Sequence, residues 1–339
     1  MLRFAALQSK LVRLAAAAIT PTKRRKRPMT LKDKLLNPAV PLTLFEMVPP
    51  AAGKPEAIEA TLSEIKKVGH LIDAVNLPEI RDEDRGSERT HRFVERVEPR
   101  LLGRRILSDL DTDVVLNRVV VHEPDQVRWL EETHEEFGIR YVVLVGGESS
   151  KVRYPGPTVF EAAEQVASRK LPISLGGISI PSRAHEADRI RRKNDAGVVF
   201  FTTQILFDSN DIVGLVQRLN GLEARIFLSF APVSHPRDLE FLRWLGVDIP
   251  PDLDRFLLVG ERPGESSPAP AETCLERSLD LAQRILMDVF DNLPPDPPPL
   301  GLNIEHINRR NFPAAVQMLE RLGNLYANLV ATRASLAGL

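Results

Sequence analysis

From Pro41 onward, short runs of β-branched and apolar residues alternate with longer segments in which apolar positions recur every three to four residues. Runs of the first kind mark strands and the 3.6-residue period marks helices. The pattern predicts strands at 42–47, 71–77, 114–121, 141–145, 173–178, 198–203, 226–230 and 300–304. Between them it predicts helices at 55–68, 87–100, 125–137, 158–168, 183–194, 209–219, 237–245 with 271–290, and 313–325. The strands are almost continuously hydrophobic, as burial on both faces requires, whereas an open antiparallel sheet would alternate apolar with polar. A doubly wound sheet and a barrel both satisfy this, but eight βα repeats are the number that closes a barrel, and no Gly-x-Gly-x-x-Gly turn follows the first strand. The predicted fold is α/β, a (β/α)8 TIM barrel in a single domain over 41–339, preceded by a basic N-terminal extension over 1–40. Two stretches interrupt the repeat: 260–270, rich in Gly, Pro, Ser and charge, reads as a mobile loop or lid, and the prolines of 294–299 as a stiff lead into the last strand.

Composition narrows the partners. The 339 residues carry 45 basic against 46 acidic side chains, so no global field favours nucleic acid or an acidic membrane surface, and a small molecule is the default partner. No apolar run reaches the roughly 20 residues that cross a bilayer. Cys274 is the only cysteine, which excludes an intramolecular disulfide and a cysteine-based zinc site and fits a reducing compartment such as the cytoplasm. Residues 1–32 contain no acid and include Lys23-Arg24-Arg25-Lys26-Arg27. Organellar transit segments and basic tails share that composition, and translation from Met29 is a third reading.

In a barrel the chemistry sits where the C-terminal ends of the strands meet the loops. Those ends carry Glu46; Asn76 and Glu79; His122 and Glu123; Gly146, Gly147, Glu148 and Ser149; Ser179 and Arg183; Thr203, Gln204 and Asp208; Ser234 and His235; and Glu305, His306, Asn308 and Arg309. Glu46 stands out, because Phe45, Met47 and Val48 around it strip water and favour its protonated form, which can deliver a proton near neutral pH. The plain alternative is a strand-end carboxylate that reaches solvent or pairs with an arginine. No Gly-x-Ser-x-Gly elbow, phosphate loop or His-Glu-x-x-His is present, the seven histidines are scattered, and no metal site is expected. A glycosidase pair, Glu46 with Glu305 or Glu79, stays open at this stage.

The ordered set Phe45-Glu46-Met47-Val48-Pro49-Pro50, Asp195-Ala196-Gly197, Thr203-Gln204-Ile205-Leu206-Phe207-Asp208, Pro232-Val233-Ser234, Gly246-Val247-Asp248-Ile249-Pro250 and Asn308-Arg309 resembles the methylenetetrahydrofolate reductase family. The resemblance implies an oxidoreductase of one-carbon metabolism that reduces 5,10-methylenetetrahydrofolate to 5-methyltetrahydrofolate, a flavoprotein using FAD reduced by NADH or NADPH, and a homo-oligomer as one arrangement. It makes Glu46 the acid that opens the bridging ring to a 5-iminium cation, places Gln204 against the pterin and Arg309 near the folate tail, and gives Arg192-Lys193 to the flavin phosphates. Asn76 and Glu148 then fall to the substrate, and Gly146, Gly147, Ser149 and Arg183 to the cofactor. The chain departs from the family in several places. Leu144-Val145-Gly146-Gly147-Glu148 replaces Leu-Arg-Gly-Asp, Gly176-Gly177-Ile178-Ser179-Ile180-Pro181-Ser182-Arg183 replaces the usual flavin loop, and Asn76-Leu77-Pro78-Glu79 ends the second strand in place of Thr-Tyr-Gly. These departures make direct hydride transfer from NADH an alternative to FAD, and they also motivate a non-catalytic folate-binding barrel serving a partner protein. Another tetrahydrofolate-dependent one-carbon or methyl transfer is a third reading. Gln204 as a helix cap and Arg192-Lys193 as a solvated helix face are the structural alternatives at those positions.

Overall fold

The computed structural model describes residues 29–82, 92–147, 152–259 and 273–338. Eight parallel strands close into a barrel in sequence order: β1 (Thr43–Met47), β2 (Ala74–Leu77), β3 (Asp113–Val119), β4 (Tyr141–Val145), β5 (Ser174–Ser179), β6 (Val198–Thr203), β7 (Arg225–Phe230) and β8 (Leu300–His306). The helices, in chain order, are α1 (Leu31–Leu35), α2 (Pro55–Val68), α3 (Pro99–Leu110), α4 (Gln126–Glu135), α5 (Val159–Arg169), α6 (Glu186–Asp195), α7 (Ser209–Arg218), α8 (Pro236–Trp244), α9 (Pro251–Leu257), α10 (Cys274–Asp291) and α11 (Phe312–Ala337).

The two-residue period of a strand sorts each one into two faces. Outward positions such as Phe45, Val75, Val114, Leu144, Phe201, Leu228 and Ile304 join the main core between the sheet and the helices. Inward positions Leu42, Leu44, Ala74, Val115, Tyr141, Val143, Phe200 and Phe227 form a second core that fills the bore. Two glycines shape that bore. A Cβ on Gly176 would overlap the Phe200 ring and one on Gly301 the Phe227 ring, and the two rings meet edge to face with centroids 6.0 Å apart.

The compact unit that contains the barrel starts at Leu31 rather than at 41. Leu31 and Leu35, four residues apart on one face of α1, are buried against the inward core at the N-terminal end of the strands. Arg225, fully buried, fastens the helix there, its guanidinium donating to the carbonyls of Leu35 (2.8 Å), Lys34 (2.8 Å), Asn37 (2.6 Å) and Leu300.

Several element boundaries are also corrected. The helix predicted at 87–100 is not found over 92–98, which are non-helical apart from a bridge between Ala51 and Arg96, and its first residues, 87–91, lie outside the described part. The helix starts instead at Pro99, since proline fixes φ for a first turn and has no N–H to waste there. The second strand is shorter than predicted, because Gly69–Leu71 forms a 3-10 turn, and the third stops at Val119 before another at Val120–His122. α9 was not anticipated, and the last helix runs to Ala337 rather than to 325. The predicted lid at 260–270 and the basic cluster at 23–27 lie outside the described residues. No helix of the described residues is long and apolar enough to cross a membrane.

Candidate functional site

Continuing the inward faces toward the C-terminal ends of the strands replaces apolar side chains with polar ones. β1 contributes Glu46 after Leu44, β2 Asn76 after Ala74, β3 Asn117 after Val115, β7 Ser229 after Phe227, and β8 Asn303 and Glu305 after Gly301. Strand register makes five of these neighbours: Glu46 lies opposite both Asn76 and Glu305, and Ser229 lies opposite Asn303. The contacts follow that register. Asn76 Nδ2 donates to Glu46 Oε2 at 3.2 Å, and Asn303 Nδ2 donates to Ser229 Oγ at 2.9 Å and to Glu305 Oε1 at 3.3 Å. A continuous polar arc thus runs across β7, β8, β1 and β2. Across the mouth, Val145 and Ile178 are apolar and only partly covered.

The amides of this arc, and Asn117 on the adjoining β3, are incompletely used. Asn76, Asn117 and Asn303 each leave Oδ1 buried without a hydrogen-bond partner. A buried acceptor left unpaired costs about 1–3 kcal/mol unless something donates to it, so three at one mouth describe a surface shaped for a ligand with N–H groups.

Charge in the arc is confined to the two carboxyl groups. Burial raises Glu46 well above the ordinary carboxylate range, and the neighbouring Glu305 raises it further. Burial also pushes Glu305 up, to about 7, against the lowering effect of the Ser229 hydroxyl. The other candidate of a glycosidase pair, Glu79, is committed elsewhere: it accepts from Arg118 Nη1 at 3.0 Å, from Arg81 Nη1 at 3.2 Å and from the Val119 N–H at 2.7 Å. Directly behind Glu305, His306 faces the outer core edge to face with Phe312. Its ring nitrogens are buried with no well-formed hydrogen bond, and desolvation lowers it to about 4 despite the opposing Asn308 backbone.

The remaining described predicted residues occupy the loops after β4, β6 and β8, and α6 with the turn before it. Gln204 is partly exposed in the loop after β6, and its Nε2 donates to the Gly246 carbonyl at 3.1 Å. It does not cap the next helix, because Asp208 accepts from the Asn210 N–H there. Arg309 is exposed in the turn after β8 and makes no ion pair among the described residues. Arg183 is half-exposed, 3.8 Å from the buried Glu186. Gly146 and Gly147 follow β4, where the Tyr154 ring fills the space a Cβ on Gly147 would need; Glu148 and Ser149 lie outside the described residues. Lys193 donates to the Ile178 carbonyl at 3.0 Å beside the outward-facing Phe201 and its pKa is lowered by burial, whereas Arg192 lies over Phe160 on the exposed side of α6. Among the described residues, no group of three or more His, Cys, Asp or Glu side chains could hold a metal ion.

Asn117, Ser229 and Asn303 are site residues that motif reasoning did not select, and Glu305 enters it only as one possible carboxyl partner of Glu46. The signal was in the last strand, where Leu300-Gly301-Leu302-Asn303-Ile304-Glu305 places Asn303 and Glu305 two apart and so on one face.

No protein-family model matches the chain, and neither does any curated protein. Among solved structures, a Clostridium thermocellum protein that binds two copies of 5-methyl-5,6,7,8-tetrahydrofolic acid superposes with a TM-score of 0.69 at 21% identity, covering 87% of this chain and 99% of that one. The two share the barrel fold over nearly the whole of that relative. A Xanthomonas albilineans dihydropteroate synthase is more distant, with a TM-score of 0.46 at 10% identity over 87% of this chain and 96% of that one.

Proposed function

We propose that the barrel mouth binds a reduced folate and that the protein reduces 5,10-methylenetetrahydrofolate to 5-methyltetrahydrofolate, with Glu46 as the acid. The observation that carries the reading is a desolvated carboxyl, raised well above the ordinary carboxylate range, at a mouth with three unpaired amide acceptors. A reduced pterin presents several N–H donors along one edge and a flat apolar face. The arc offers acceptors for the edge, and Val145 with Ile178 offers cover for the face. The Gln204 side-chain oxygen, its amide being held by Gly246, faces the same ligand class as an acceptor. Binding of 5-methyltetrahydrofolate by the Clostridium thermocellum barrel is consistent with such a ligand.

In this reading the Glu46 carboxyl gives its proton to N10 of the bridged folate, the bond between N10 and the bridging methylene breaks, and a 5-iminium cation forms. A reduced nicotinamide then delivers hydride to the methylene carbon, yielding the 5-methyl group and the oxidised nicotinamide. Glu46 recovers a proton from water. No step is routed through a flavin.

Glu46→Gln keeps the shape of the side chain and removes the proton. The expected result is loss of at least about a hundredfold in turnover, with 5-methyltetrahydrofolate still bound, measured by reductase assay with NADH and NADPH, with and without added FAD, alongside calorimetry. Retained turnover in the variant would overturn Glu46 as the acid. Wild-type protein that binds 5-methyltetrahydrofolate but reduces nothing under any of these conditions would leave a folate-binding module.

A further inference from the structure

We propose that Glu305 is the positioning residue of the acid: across the seam between β8 and β1, Glu46 and Glu305 form a carboxyl pair that holds one proton between them. The proposal deepens the folate reading above and rests on it for its role in turnover, while the pair itself rests on geometry alone.

Three features place the two groups in one site. Glu46 and Glu305 are register partners on hydrogen-bonded strands, which lie about 4.8 Å apart. Both occupy the inward parity of their strands, so their side chains rise from the same wall of the bore. Each accepts from an amide, Glu46 from Asn76 on β2 and Glu305 from Asn303 two residues earlier on its own strand, so neither amide comes from the β1–β8 seam side of Glu46.

Among the described residues, no cation pairs with either carboxyl to discharge a second anion. Facing groups are neutral: Asn76 on β2, Asn117 on β3, Thr202 on β6, and Ser229 on β7. His306 projects to the opposite side of β8, and Lys193 is bound to the Ile178 carbonyl beside the outer core. No ion pair to either glutamate exists among the described residues. Two like charges a few ångströms apart in such a setting cannot both form cheaply, so one proton stays. The raised Glu46, to which the Glu305 charge contributes after burial, agrees with this arrangement, whereas Glu305 is raised by burial.

The pair has a direct use in the reaction. Before ring opening it carries one proton and one negative charge. After the proton passes to N10, two carboxylates face the newly formed iminium cation, and the positive charge that the proton created in the folate offsets their repulsion. Hydride addition removes that cation, and the pair regains a proton from water, restoring its starting charge.

Infrared titration of the ligand-free full-length protein tests the pair without reference to catalysis. A protonated-carboxyl band should persist to neutral pH in the wild type. In Glu305→Gln its midpoint should fall by about one unit or more as Glu46 loses the like charge. In Glu46→Gln the midpoint of Glu305 should fall in the same way, and Glu305→Asp should restore most of the wild-type behaviour. The alkaline limb of the kcat/KM–pH profile should move down with the Glu305→Gln shift. Unchanged midpoints in both glutamine variants would overturn the pair. Shifted midpoints in a protein that never turns over methylenetetrahydrofolate would keep the pair and reject the reductase reading.

Discussion

Gly301 is a single position that fixes how the bore is filled. Its missing side chain lets the Phe227 ring lie across β8, and Phe227 in turn meets Phe200, which lies across Gly176. Neither ring has room to retreat, since both belong to the buried inward core. Gly301→Ala should therefore cost about 1–3 kcal/mol, the usual range for overpacking a close-packed interior, read as a lower denaturation midpoint with an unchanged denaturant slope. A neutral or stabilising result would mean that the rings shift freely. At this scale the sequence was informative where a residue contradicted its surroundings. Glu46 was legible because a charge stands between Phe45 and Met47, and the structure places it at the mouth. Glu305 was legible only as a rival of Glu79 for the place beside Glu46, because it sits with His306, Asn308 and Arg309 in a polar strand end where no residue contrasts with the next. Only the closure of β8 onto β1 makes it Glu46's neighbour, and that pairing spans most of the chain.

A five-residue helix such as α1 has no stability of its own, because nucleation alone outweighs the few hydrogen bonds it makes. What holds it is the burial of Leu31 and Leu35 and the set of carbonyls that Arg225 collects from α1, from the turn after it and from β8. Arg225→Met preserves length and apolar volume but leaves those buried carbonyls without a donor, so a loss of about 3 kcal/mol or more is expected. The loss should be local first. Hydrogen exchange at 31–40 should speed up before exchange in the strands does, and uniform destabilisation of the whole barrel would refute the anchoring role. Element type was legible for all eight strands because each is a short apolar run that needs burial on both faces. Boundaries were legible only where local chemistry marks them. Thr158 and Glu161 form a capping box that starts α5 close to its predicted position, and Pro99 starts α3 where apolar spacing alone had ended a helix. α1 is not legible in the sequence, because its two leucines acquire a reason to be helical only once the barrel provides a floor.

Across the whole molecule, two buried sites on β8 give stability opposite dependences on pH. Glu305 and Glu46 titrate higher in the folded chain than the ordinary value of 4.5, Glu305 at about 7, so the native state holds more protons than the unfolded state over that interval. Their contribution is complete below about 4.5 and is lost as pH rises through the folded values. His306 is lowered from 6.5 to about 4, so the native state holds fewer protons there, and its contribution, present above 6.5, is lost as pH falls toward 4. Between about 4.5 and 6.5 the two slopes, each up to about 1.4 kcal/mol per pH unit per proton, oppose one another, and above that range only the carboxyls act. Comparing variants isolates them from every other titrating group. The stability of Glu305→Gln minus that of the wild type should rise as pH increases from about 4.5 to 7, whereas the same difference for His306→Leu should rise as pH decreases from 6.5 to 4, both from chemical denaturation in a pH series. A flat difference for Glu305→Gln would show that the β1–β8 carboxyls titrate independently of folding. A flat difference for His306→Leu would show that the ring is protonated inside the core. If both slopes appear with the expected signs, adjacent positions of a single strand bias the fold in opposite directions, with the inward one serving the mouth of the barrel and the outward one its wall.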